Sequence, residues 1–261
     1  MEPNEKNQNN INVFIKLGVL ILSIILIVNI GMQVLPGAIT VTSTGSKKDL
    51  PIFSVNTKEK KVSLSFDVAW GNEDTNAILD ILNKHDIKAT FFITGEWVKQ
   101  YPKNVKAIVA NGHDLANHSE DHKSMVKLSK KQCKDEIMKV HQQVKELTGI
   151  DMNLFRAPYG DYDNTVLGTA RECGYYTIQW DVDTYDWKDY TAECIINRTV
   201  TNPTLTNGSI ILMNDGAKNT VEALDGIITG LQKQGYKIVP VSKLIYKKNY
   251  MVDPSGRQFE R

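Results

Sequence analysis

The stretch NHSEDH, residues 117–122, sets two of the chain's five histidines four residues apart among polar neighbours. On a helical turn, positions i and i+4 share a face, so His118 and His122 can aim both imidazoles at one cation. Asp67 directly follows the strand-like run VSLSF, where an acidic residue can serve a site or cap the following turn. In LFRAPYGDYD, Arg156 stands at a strand end, suited to bidentate fixing of a carboxylate. A proline and a glycine follow it and shape a tight loop. WDVDTYDW, residues 180–187, packs three acids and two tryptophans into eight residues. Alternation accounts for Trp180, Val182 and Thr184 as one strand face and leaves Asp183 and Trp187 for another task.

Positioning these residues requires a scaffold, and the apolar pattern supplies one. Short β-branched and aromatic runs (VSLSF, ATFFIT, YYTIQW, GSIILM) alternate with segments of helical spacing near 75–85, 104–112, 129–149, 164–173, 191–200 and 220–234. The helix at 129–149 starts on a capping Ser129 and stops at Gly149. PIFSV (51–55) is expected to pair with VSLSF across NTKEKK. Strand–helix alternation predicts a parallel sheet, open or closed into a barrel, with active residues at the C-terminal strand ends. The residues of interest all follow such runs.

The flanks are of a different kind. After a short N-terminal tail (1–16), residues 17–35 (LGVLILSIILIVNIGMQVL) carry no charge and match one membrane-spanning helix of about 20 residues. A cleaved signal peptide would need a small-residue site, and Ala38-Ile39-Thr40 fits poorly, so an uncleaved anchor is expected. Residues 36–50 read as a linker, 51–247 as one folded domain and 248–261 as a polar tail. With 31 Lys+Arg against 30 Asp+Glu and no basic stripe, nucleic acid is not an expected partner. Cys133, Cys173 and Cys194 lack CxxC spacing and read as buried thiols.

In this order the motifs resemble the polysaccharide deacetylases, the NodB-like domain of carbohydrate esterase family 4. Ser65-Phe66-Asp67, His118–His122, Arg156-Ala157-Pro158-Tyr159-Gly160, Asp183–Trp187 and Leu212-Met213-Asn214 stand where that family has TFDD, HxxxH, RxPY, DxxDW and LxH. The FDxxWG form of the first motif is most similar to the sporulation-linked branch. The resemblance implies a single distorted (β/α) barrel behind the N-terminal transmembrane helix. It implies metal-dependent removal of N-acetyl groups from peptidoglycan or a chitin-like polymer, on the extracytoplasmic side of a cell or spore envelope. A divalent cation, often zinc, would be held by His118, His122 and a carboxylate. Asp67 would be the base, oriented by Arg156, with Asp183 of DxxDW also catalytic. The Tyr159 backbone N–H would stabilise the oxyanion, and Trp187 would wall the acetyl methyl.

Two positions depart from that pattern. The family's metal carboxylate follows the base, and that residue here is Val68; Asp74, beyond a turn through Trp70-Gly71, is the replacement expected, with water as the alternative. The family's acid histidine is replaced by Asn214, a carboxamide with no proton to give near neutral pH. Asp215 is adjacent, and a neighbouring strand residue points the other way. Two functions follow as expectations: a deacetylase weakened at position 214, or a glycan-binding or scaffold protein that keeps the fold with impaired catalysis.

Overall fold

The computed structural model describes residues 49–261, so the tail and anchor expected at 1–35, and most of the linker, lie outside the described residues. Among the described residues, no helix is long and apolar enough to cross a membrane. After β1 (Ser54–Val55), β2 (Lys61–Val68) forms the centre of the fold and is almost wholly buried. VSLSF alternates apolar residues with serines, and both faces are nonetheless covered: Val62, Leu64 and Phe66 on one side and Ser63 and Ser65 on the other are all buried. It pairs in parallel with β3 (Thr90–Ile93) on one side and β8 (Ile210–Asn214) on the other. β4 (Asp114–Asn117), β5 (Leu154–Phe155) and β6 (Tyr176–Thr177) extend the sheet beyond β3. β7 (Val182–Asp183) closes the other end, and β9 (Lys237–Ile238) joins the start of β2. The result is a half-barrel of parallel strands.

Helices cover its outer face: α1 (Thr75–Lys84), α2 (Gly95–Gln100), α3 (Pro102–Ala110) and α4 (Lys130–Thr148) in the first half. α5 (Asn164–Glu172), α6 (Ala192–Val200), α7 (Thr220–Lys233) and the short α8 (Val241–Leu244) complete the set. The limits of α4 follow from its caps. The Ser129 hydroxyl and the Gln132 side chain satisfy each other's backbone N–H groups, and Gly149 ends the helix at φ 78.

The two faces of β2 divide the core. Val62, Leu64, Phe66 and Val68 pack with α1 and α4 residues such as Ile78, Leu82, Ile137 and Val140. Phe92, Ala116, Leu154, Ile178 and Ile210 fill the barrel interior. Ser63, Ser65 and Asp67 alternate onto that interior face. Val68 therefore packs into the helix layer.

Two expectations about the ends are corrected. Residues 248–261 are no fraying tail: β10 (Tyr250–Val252) and β11 (Arg257–Glu260) form an antiparallel hairpin, and β1 pairs in parallel with β11 instead of with β2. The polar residues of this segment are used internally. The Asp253 carboxylate accepts the Ser255 and Arg257 N–H groups in the turn, and buried Gln258 exchanges hydrogen bonds with the Tyr246 backbone. Of the three free thiols only Cys133 is fully buried.

His113, 5% exposed, predicts an acid sensitivity. Its Nδ1 accepts the Ala89 N–H, its Nε2 has no partner, and its ring packs on Phe91. Burial, aided by Lys88, pushes its pKa from 6.5 to about 4. The unfolded chain then takes up the proton first as pH falls. Stability from this group is complete above about pH 6.5 and declines toward pH 4, by on the order of 3 kcal/mol. Denaturant titrations of wild type and His113→Asn, which keeps an acceptor for Ala89, should diverge across that window. Equal slopes in both proteins would dismiss the assignment.

Candidate active site

Strand register brings the chemistry together. Asp67 and Asn214 are paired neighbours at the C-terminal ends of β2 and β8. Both line a cleft of ≈ 670 Å³ with His118, His122, Tyr159, Asp183, Asp186, Trp187 and Trp70. Three of the exposed large apolar side chains, Trp70, Tyr159 and Trp187, stand on its rim. Aromatic faces of this kind pack against the C–H faces of sugars.

Arg156 is wholly buried inside the barrel, its guanidinium 4.0 Å from the Phe92 ring centroid and 5.3 Å from that of Trp180. One nitrogen meets Asp67 Oδ1 at 2.6 Å, and the other donates to Ser65 Oγ at 2.8 Å and to the Gln179 carbonyl at 3.3 Å. Trp180 can lie this close because residue 160 is glycine: a Cβ there would stand 3.1 Å from the Trp180 ring. Arg156 thus orients Asp67, as the motif order implied, and leaves Oδ2 turned toward His118 Nε2, 3.6 Å away.

The two histidines converge by a route other than the one the spacing suggested. NHSEDH is no helical turn. Ser119 (φ 67) and His122 (φ 52) are both left-handed, and the loop they make brings the rings to 4.9 Å between centroids. His118 is buried, its Nδ1 bonded to the Arg156 carbonyl at 2.8 Å, which leaves Nε2 directed toward Asp67. Burial lowers the pKa of His118, and burial with the His118 charge pushes that of His122 down to about 4. Both rings are therefore neutral at pH 7, the form that ligates a metal.

The remaining predicted residues divide. Tyr159 sits at φ 62, a strained position for a side-chain-bearing residue, and among the described residues its N–H has no acceptor. That is the geometry of an oxyanion donor. Trp187, 57% exposed, stands on the rim as expected. Asp183 lines the cleft, but its Oδ1 accepts the Tyr185 N–H at 2.7 Å and holds the loop turn. The acid that meets Asn214 is Asp186, which sequence reasoning passed over. It accepts from Asn214 Nδ2, the Asn214 N–H and Thr220 Oγ1, each at 2.7 Å. Burial raises the pKa of both acids. DxxDW contains both, and only their directions from β7 distinguish them.

Asp74 stands at the start of α1, where its carbonyl accepts the Ile78 N–H, and it does not line the cleft. Among the described residues, no carboxylate joins His118 and His122 in a group whose ligand atoms all lie within 4.8 Å of one another. Glu96, Glu120 and Asp121 do form such a group, outside the cleft, but Lys99 and Lys123 already pair with them. Asp215 follows Asn214 and turns to Thr75 Oγ1, 2.6 Å away; burial pushes its pKa up to about 6.

A parallel half-barrel with an arginine-held carboxylate, neutral histidines and an unpaired backbone N–H at its strand ends carries the groups that a hydrolase of the α/β class uses. The known proteins agree. The family model described as polysaccharide deacetylase matches residues 54–178. The peptidoglycan-N-acetylmuramic acid deacetylase PdaA of Bacillus subtilis is 35% identical over 201 residues, 74% of each chain. The peptidoglycan-N-acetylglucosamine deacetylase PgdA of Listeria monocytogenes is 36% identical over 72% of this chain and 40% of its own. Among solved structures, BA3943 of Bacillus anthracis, described as a CE4 family pseudoenzyme, superposes with TM-score 0.72 at 36% identity, covering 81% of this chain and 73% of that one. The chain belongs to the polysaccharide deacetylase family, whose enzymes hydrolyse non-peptide carbon–nitrogen bonds. It spans between 40% and 74% of the lengths of the curated relatives named here.

Proposed function

We propose that this protein removes N-acetyl groups from peptidoglycan with the help of a bound divalent cation, at the outer face of a membrane to which residues 17–35 anchor it. The observation that carries this reading is the meeting of an arginine-held carboxylate, Asp67, with two neutral imidazoles in an aromatic-rimmed cleft. The residues fit a metal. His118 presents Nε2, with Nδ1 fixed by a carbonyl, and His122 Nδ1 is buried without a partner. His118 and His122 would hold a divalent cation such as zinc through neutral imidazole nitrogens. The cation would polarise the acetamide carbonyl and lower the pKa of the attacking water.

The protein's own groups supply the remaining steps. Asp67, oriented by its pairing with Arg156, accepts the proton of the attacking water. The Tyr159 N–H donates to the oxygen that becomes negative. Trp70, Tyr159 and Trp187 seat the sugar. Asn214, held by Asp186, can donate a hydrogen bond to the departing nitrogen but cannot transfer a proton, so the proton that Asp67 took from water has to reach that nitrogen directly or through solvent.

Acetate release from peptidoglycan and from N-acetylglucosamine oligomers tests this. Chelator should abolish it and added zinc restore it. His118→Ala should lose at least about 10-fold in metal affinity, since it removes one of two protein ligands. Activity that survives exhaustive chelation would end the metal reading. The second reading, a glycan-binding protein with impaired catalysis, is favoured by Asn214 and by a pseudoenzyme among the structural relatives. Glycan retention without acetate release, in metal-loaded protein, would select it.

A further inference from the structure

Resting on the metal reading above, we infer that Trp70 is a positioning residue for His122, acting with Tyr159 as an aromatic clamp on the second imidazole. A metal-binding histidine ordinarily has its other ring nitrogen bonded to a carbonyl or carboxylate, which fixes the ring. His118 follows this rule through the Arg156 carbonyl. Among the described residues, neither ring nitrogen of His122 is bonded to another residue. What the ring does meet is two aromatic side chains. Trp70 lies 4.7 Å away at 67° and Tyr159 lies 4.7 Å away at 69°, both within the edge-to-face range.

Core packing does not account for Trp70, which is 66% exposed. Its backbone is nonetheless fixed. Gly71 turns the chain at φ 63, and buried Trp97 donates its Nε1–H to the Gly71 carbonyl. The side chain is thus carried on an anchored turn and spends its apolar face on His122 instead of in the interior. The need for such a clamp follows from Val68. With that side chain buried among the helices, the residue after Asp67 offers the metal no ligand, and affinity depends more on the orientation of the two imidazoles. Trp70 belongs to the loop directly after β2, the same segment that lost the carboxylate.

The test uses the full chain and cobalt(II) alone. Trp70→Ala should weaken cobalt binding by about 10–100-fold and shift its visible absorption bands, while Trp70→Phe stays within about threefold of wild type. In metal-free protein, the His122 ring resonances should broaden and lose their ring-current shift in Trp70→Ala and recover in Trp70→Phe. An unchanged melting curve accompanies both, because the side chain is mostly in solvent. Wild-type cobalt affinity in Trp70→Ala overturns the inference, as does an unaltered His122 ring signal. If wild type binds no cobalt yet the ring signal changes, the metal reading fails and the positioning role stands.

Discussion

Replacing Asn214 with histidine is expected to raise acetate release by about 10²–10⁴-fold, the range that a positioned general acid contributes. The position is already prepared. Asn214 Nδ2 donates to Asp186 Oδ1 at 2.7 Å, and the Thr220 hydroxyl and the Asn214 N–H hold the other oxygen. An asparagine amide nitrogen sits one bond from Cγ, as Nδ1 of histidine does. A histidine at 214 would therefore give Nδ1–H to Asp186 and turn Nε2 to the cleft that Leu212 and Asn214 line. The Asp186 carboxylate would favour the imidazolium and raise its pKa. The variant should then show a rate that falls as pH rises through that pKa, a limb the wild type lacks. A mutant of the BA3943 pseudoenzyme has restored enzymatic activity, so a site of this family can regain lost chemistry by substitution. Acetate release unchanged in Asn214→His, in correctly folded metal-loaded protein, would show that proton donation does not limit this enzyme.

Loss of the Arg156 guanidinium is expected to be the most destabilising single change at the site. Arg156→Leu should cost about 3–5 kcal/mol of unfolding free energy, the range for removing one partner of a buried ion pair. The reason is the neighbourhood. Ser65 Oγ and the Gln179 carbonyl lose their donor, and Asp67 loses the guanidinium that fixes it beside His118. Asp67 should then lose its orientation and act poorly as a base. Arg156→Lys keeps a charge but lacks the fork that reaches Asp67 and Ser65 together, so it should recover only part of the loss. Denaturant unfolding of Arg156→Leu, Asp67→Asn and the double variant measures the coupling. A double variant no more stable than the sum of the singles would deny that the pair acts as a unit.

Much of the site was legible because strand ends are legible. Apolar runs at 62–66 and 210–213 end on Asp67 and Asn214, and parallel sheets gather such ends at one face, whereas His118 follows β4 (Asp114–Asn117), a strand that no apolar run announced. The capping box at Ser129 and the stop at Gly149 were readable for a similar reason, since caps are local in sequence. The histidine spacing gave the right pair for the wrong reason: two left-handed residues, which composition does not announce, replaced the helical turn. Residues 248–261 look like a tail until their partner, β1, is known to lie just over 200 residues upstream; strand pairing over such separations leaves no local signature.

From the sequence alone came the family, the base, the two imidazoles, the arginine and the two departures at Val68 and Asn214. Tertiary structure decided which acid serves position 214, because Asp183 and Asp186 differ only in direction once β7 is registered against β8. It also decided that Val68 faces the helices and that Trp70, not a carboxylate, is what the β2 loop brings to His122. Residue type is written in the chain, whereas side-chain direction depends on register, alternation and turn handedness, and those are fixed only when distant strands pair.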